Sequence, residues 1–146
     1  MIFKIVKKKL FVLSLVVICL FLYIVYLGIS LDGVYVKRGT FGYYLTIHSS
    51  LIKKFPLHGK INDEKFTNRG GDGYASTYSV IYQSNADKNS LVKIFEEYLL
   101  NNGYKKVEKV SSNDEMFYET NSSSYVRILF VSKNDGIYAI EIEQSY

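Results

Sequence analysis

Cysteine is almost absent from this 146-residue chain: the single one, Cys19, lies inside a long hydrophobic run. The remainder cannot form an internal disulfide, so whatever folds there must be held by its own core, even in an oxidising compartment. Proline occurs once, as Pro56. Histidine is limited to His48 and His58. Zinc usually takes three or four His, Cys or carboxylate ligands, so this pair is a weak metal set, and we expect no metal and no cofactor. An excess of positive charge is also missing from most of the chain. The net charge is +4, and Lys4, Lys7, Lys8 and Lys9 account for it. Without those four lysines, fourteen basic residues face fourteen acidic ones. That balance removes the electrostatic case for nucleic-acid binding.

Residues 10–29, LFVLSLVVICLFLYIVYLGI, carry no charge. A helix rises about 1.5 Å per residue, so this stretch would span roughly 30 Å, the thickness of a bilayer's hydrocarbon core. We therefore expect a transmembrane helix over 10–29, with the lipid bilayer as its partner. A cleaved signal peptide is the rival, with Gly28-Ile29-Ser30 as a small-x-small site and cleavage after Ser30. Its apolar core would be longer than the roughly 7–15 residues usual for such segments. Lipid attachment at Cys19 is disfavoured because Ile18, before it, is not small. Positive charge stays on the cytoplasmic side, so Lys4, Lys7, Lys8 and Lys9 place residues 1–9 in the cytoplasm. Residues 30–40 then form a juxtamembrane connector and 41–146 an extracytoplasmic domain. Tyr23, Tyr26 and Tyr35 gather at the outer end, where amphipathic rings favour the interface. The richness in Lys, Asn, Ser, Ile and Tyr suggests an AT-rich bacterial genome. The expected location is the inner membrane, single-pass, with the amino terminus inside.

In the outer domain, residues 41–48 alternate: Phe41, Tyr43, Leu45 and Ile47 on one face, Gly42, Tyr44, Thr46 and His48 on the other. Period two with aromatic and β-branched residues predicts a strand. Residues 49–73, with Pro56 and the Arg69-Gly70-Gly71-Asp72-Gly73 cluster, read as an irregular stretch of the kind that is often functional. A strand is expected over 74–83. Asp87 suits a helix N-cap, and Leu91, Val92, Phe95, Tyr98 and Leu99 recur at helical spacing up to Gly103 at C′. Strands are expected over 104–110, 115–120, 125–132 and 137–144. Asp135-Gly136 makes the last pair a hairpin. The expected fold is a two-layer α+β domain: a mostly antiparallel sheet with the 87–102 helix laid across it.

Chemistry is sparse. His48-Ser49-Ser50 has no G-x-S-x-G context, and the glycine cluster lacks the Gly-Lys-Ser/Thr ending of a phosphate loop. No catalytic residues are assigned. Twelve tyrosines lie beyond residue 29. Tyrosine serves both interfaces and strands, and Tyr44, Arg69, Asp72, Tyr74 and Tyr78 are the candidate partner surface. The expected function is a non-enzymatic, membrane-anchored module whose outer domain binds another protein, as an inhibitor or immunity-like protein or as an accessory subunit of an envelope complex. The alternatives are a small anchored hydrolase using His48 or His58, and a domain that holds a lipid or small ligand between helix and sheet.

Overall fold

The computed structural model describes residues 2–30, 33–70, 75–108, 114–133 and 136–146, with the side chains of the first helix described over 11–26. Six strands form one sheet in the order β1-β2-β6-β5-β4-β3, and every pairing is antiparallel. In chain order they are β1 (Lys65–Arg69), β2 (Thr77–Ser84), β3 (Lys105–Val107), β4 (Glu115–Glu119), β5 (Tyr125–Ser132) and β6 (Tyr138–Ser145). The helices are α1 (Ile2–Ser30), α2 (Phe41–Thr46), α3 (Ser50–Lys53) and α4 (Lys88–Asn101). The last four strands form the expected meander, and β6 returns beside β2 at the centre. The β2–α4–β3 connection therefore carries α4 across the sheet from its middle to its far edge.

Local chemistry explains α4. The Asp87 carboxylate accepts from the Ser90 N–H at 3.0 Å, capping the first turn. At the other end Tyr104 N–H reaches Leu99 O and Gly103 N–H reaches Leu100 O, each at 3.0 Å. That pair of bonds is a Schellman ending, and it needs the positive φ of Gly103, +83°. Leu91, Phe95 and Leu99 form the buried stripe. They meet one face of the sheet, built from Tyr78, Val80 and Tyr82 of β2, Ile140 and Ile142 of β6, Val126, Ile128 and Phe130 of β5, and Tyr118 of β4. Phe95 lies 5.1 Å from Phe55 and 6.1 Å from Phe130, ring to ring. The helix–sheet contact is thus filled by side chains, which counts against a ligand cavity between the two layers.

The strand expected over 41–48 is instead the helix α2. Thr40 caps it by accepting from the Tyr43 N–H at 3.3 Å, and the buried residues are Tyr43, Thr46 and Ile47. That i, i+3, i+4 spacing is helical, and it coexists in the sequence with the period-two alternation. The irregular stretch over 49–73 contains two elements. Ser49 caps α3 by accepting from the Ile52 N–H at 3.0 Å, and Leu51 and Ile52 enter the core. β1 then pairs with β2, Phe66 opposite Val80. Helices α2, α3 and α4 all lie on the same side, as Tyr43 on Phe66 (4.9 Å) and Ser49 on Gln144 record.

Both sheet edges are protected. Val36 and Phe66 exchange backbone bonds at 2.7 and 2.8 Å, and Gly33 N–H donates to Asn68 O, so part of the stretch expected as a connector closes the outer edge of β1. At the opposite edge β3 is three residues long and carries Lys105 and Lys106, which discourages pairing with another chain. Among the described residues, no helix is long and apolar enough to cross a membrane, so the membrane-spanning helix expected over 10–29 is not supported by the structure.

Candidate functional site

The sheet face turned away from the helices is built from the other parity of each strand. Across it run Ser79, Glu143, Arg127 and Phe117 in one register row, and Ile81, Glu141, Leu129 and Glu115 in the next. Thr67, Ser79 and Ser145, towards β1, are buried, whereas Ile81, Leu129 and Phe117 are half-buried and Tyr125 and Val131 are exposed. Arg127 holds the centre. Its guanidinium stands 3.8 Å from Glu143 and 3.8 Å from Glu115. Such partly exposed pairs contribute about 0–1 kcal/mol each, so they set charge and register more than stability. Glu115 and Glu143 flank the guanidinium, and Glu141 lies on the same face in the next row, with Ile81 and Leu129 interleaved. The same parity also carries Lys65, Arg69, Lys105 and Glu119, so the half-buried apolar groups are framed by charges of both signs, a pattern suited to a protein surface with complementary charges.

Of the candidate partner-surface residues, Tyr44, Arg69 and Tyr78 are among the described residues. Tyr44 is on α2 and exposed, at 63%. Arg69 ends β1 and donates to the Tyr35 hydroxyl at 3.4 Å. Tyr78 points under the helices, 9% exposed, edge-on to Tyr146 at 6.1 Å. Burial raises its phenol above the ordinary value, with the Tyr146 charge adding to the effect and a Ser76 hydrogen bond opposing it. Tyr78 and Tyr82 share the parity of the core. Burial likewise pushes the Tyr82 and Tyr118 phenols far up. Asp72 and Tyr74 lie outside the described residues, as do the side chains of Lys4, Lys7, Lys8 and Lys9.

Two further polar places were not anticipated. A charged cleft of about 330 Å³ is lined by Lys37, Arg38, Lys60, Asp63 and Glu64. Its charges are paired within it: Lys37 with Asp63 at 3.1 Å, Arg38 with Glu64 at 2.9 Å, and Lys60 with Glu64. Burial alone would raise the Glu64 carboxyl. The bond from Lys60, a backbone N–H and the positive field of Lys60 and Arg38 outweigh it, so Glu64 titrates below its ordinary range. A second cleft, of about 240 Å³, opens over Tyr104, Ser124 and Gln144. Inside it Gln144 Nε2 donates to the Tyr104 hydroxyl at 2.7 Å, and the Tyr104 and Ser124 hydroxyls are 2.9 Å apart. Buried polar groups of this kind are retained when they are satisfied by one another.

His48 and His58 are both exposed, and their imidazoles carry no hydrogen bond or ion pair among the described residues, although the His58 carbonyl accepts from the Ser84 hydroxyl at 2.9 Å. The Ser49 hydroxyl is committed to Gln144 and to the cap of α3, so the His48-Ser49 neighbours do not form a nucleophile–base pair. Among the described residues, no three His, Cys, Asp or Glu groups are placed to hold a metal ion. The signal that sequence reasoning missed is Arg127, a lone cation in the apolar run YVRILFVS, flanked at i±2 by Tyr125 and Leu129. A charge inside such a strand marks which parity faces away from the core. No protein-family model matches the chain, and no curated protein or solved structure shows significant similarity to it.

Proposed function

We propose that this chain is a single-pass, membrane-anchored, non-enzymatic protein whose extracytoplasmic domain binds another protein through the helix-free face of its sheet. The observation that carries the reading is that face, with Leu129 and Ile81 set among Glu115, Glu141, Glu143 and Arg127. The anchor is supported by the uncharged run over 10–29 and by the continuity of α1 through it. Phe11, Leu13, Phe21 and Leu22 on α1 are all more than half exposed. A row of that kind needs an apolar environment. The four lysines before it then set the amino terminus inside, at the inner membrane of a bacterium. An inhibitor or immunity-like protein, or an accessory subunit of an envelope complex, matches this architecture: one anchor, one small domain, one face for a partner. The exposed, unpaired histidines give no support to a hydrolase.

The test is site-specific photo-crosslinking in native membranes. A photoreactive residue at Leu129 or Tyr125 should yield one discrete adduct, identified by mass spectrometry, while the same residue at Lys93 on the wet side of α4 should not. Absence of any adduct from the sheet face, with normal membrane location, would refute partner binding there. A reporter fused after Tyr146 should be active only outside the cytoplasm.

A further inference from the structure

The short helix α2 is amphipathic in an unusual sense. Its inner side, Tyr43 and Thr46, is buried, but its outer side is not polar. It carries Phe41 and Tyr44, three residues apart on one face, exposed at 59% and 63%. Val34 and Tyr35, just upstream, are also exposed, and Lys37 and Arg38 lie between the two pairs. The aromatic series continues in α1, where Tyr23 and Tyr26 are exposed, and α1 contacts α2. A ring with an apolar body and a polar tip is favoured at the level of lipid headgroups, while Lys37 and Arg38 are already paired with Asp63 and Glu64. Water offers no such reward for exposing Phe41.

Resting on the anchor reading above, we propose that the outer face of α2 lies on the bilayer, with Phe41 and Tyr44 seated in the headgroup region. The occupant of this patch is lipid because the patch is continuous with the end of α1. Gly33, three residues beyond Ser30, is already bonded to Asn68 of β1. A chain of that length reaches at most about 11 Å, so this edge of the domain cannot leave the surface into which α1 would insert. The domain is thereby held flat against the membrane, and the free sheet face takes a fixed aspect to it.

The chain has no tryptophan, so single substitutions make clean fluorescent probes. The full chain would be reconstituted into phosphatidylcholine–phosphatidylglycerol vesicles with and without brominated acyl chains. Tyr44→Trp and Phe41→Trp should show blue-shifted emission and at least about twofold stronger quenching than Lys93→Trp, as expected of an interfacial ring. Tyr26→Trp reports the anchor independently. Quenching at 26 without quenching at 41 and 44 would overturn the docking of α2 while leaving the anchor standing. Quenching at 41 and 44 without quenching at 26 would support surface docking and refute the span. No quenching at any of the three would refute both. Circular dichroism of each variant confirms folding, and a second copy of the chain covering the patch would be revealed by quenching that fails and excimer emission from pyrene on Tyr44→Cys in a Cys19→Ser background.

Discussion

Ser49 and Gln144 are ninety-five positions apart, yet the Ser49 hydroxyl donates to the Gln144 side-chain oxygen in the interior. The same hydroxyl accepts from the Ile52 N–H. One oxygen therefore ends a helix and fastens it to the last strand. Ser49→Ala removes a cap and leaves a buried amide oxygen without its donor. The expected cost is about 1–3 kcal/mol in urea unfolding. In a double-mutant cycle with Gln144→Leu, the two changes should be non-additive by more than about 0.5 kcal/mol. Additivity would show that the bond contributes nothing of its own.

Glu64 should make the domain sensitive to acid. Its folded-state pKa lies below the ordinary value of 4.5. Its contribution is therefore fully present above that pH, and it is lost as the pH falls through the lowered folded value. Glu64→Gln should destabilise by about 1–3 kcal/mol at pH 7, because Arg38 and Lys60 lose their common acceptor. The gap between wild type and variant should shrink as the pH is taken below 4.5. A gap that stays constant from neutral pH to strong acid would contradict the assignment.

Phe95 is the midpoint of the core, between Phe55 and Phe130. Phe95→Ala should cost about 3–5 kcal/mol, the range for deleting a fully buried ring. Leu100, on the same helix but exposed, should tolerate alanine within about 0.5 kcal/mol. Denaturant titration of the pair measures the orientation of α4 directly.

Gly59 has φ +62°, and a Cβ there would lie 2.6 Å from both the Ala86 Cβ and the Ser84 Oγ. Gly59→Ala combines a left-handed backbone with overpacking and should cost on the order of 2–4 kcal/mol. Gly136 has φ +73° and open space around its Cβ position. Gly136→Ala should cost only the backbone part, about 1–2 kcal/mol. Thermal melts should rank the two in that order.

These residues also show where the sequence was readable. Asp87, the Leu91–Phe95–Leu99 stripe and Gly103 are local signals that agree with one another, and α4 runs between them. The strands β4 to β6 follow period two with turn residues between, and they form as expected. Residues 41–48 satisfied two periods at once, and only the tertiary partner Phe66 decides for a helix. β1, KFTNR, has one apolar residue, Phe66, and too little alternation to reveal a strand. Its identity comes from pairing with β2, a contact that no local pattern encodes. Which parity of β2 faces the core depends in the same way on which side α4 crosses, and Tyr78 lies on that side.

The short bonded distance between Ser30 and β1 has a mechanical consequence. Val36 and Gly33 join the sheet edge by an antiparallel exchange of backbone bonds. Force applied between the first helix and the domain would load those few bonds in sequence before it reached β1 itself. The junction would open like a zipper, at low force, and only then would a longer tether become available to the domain.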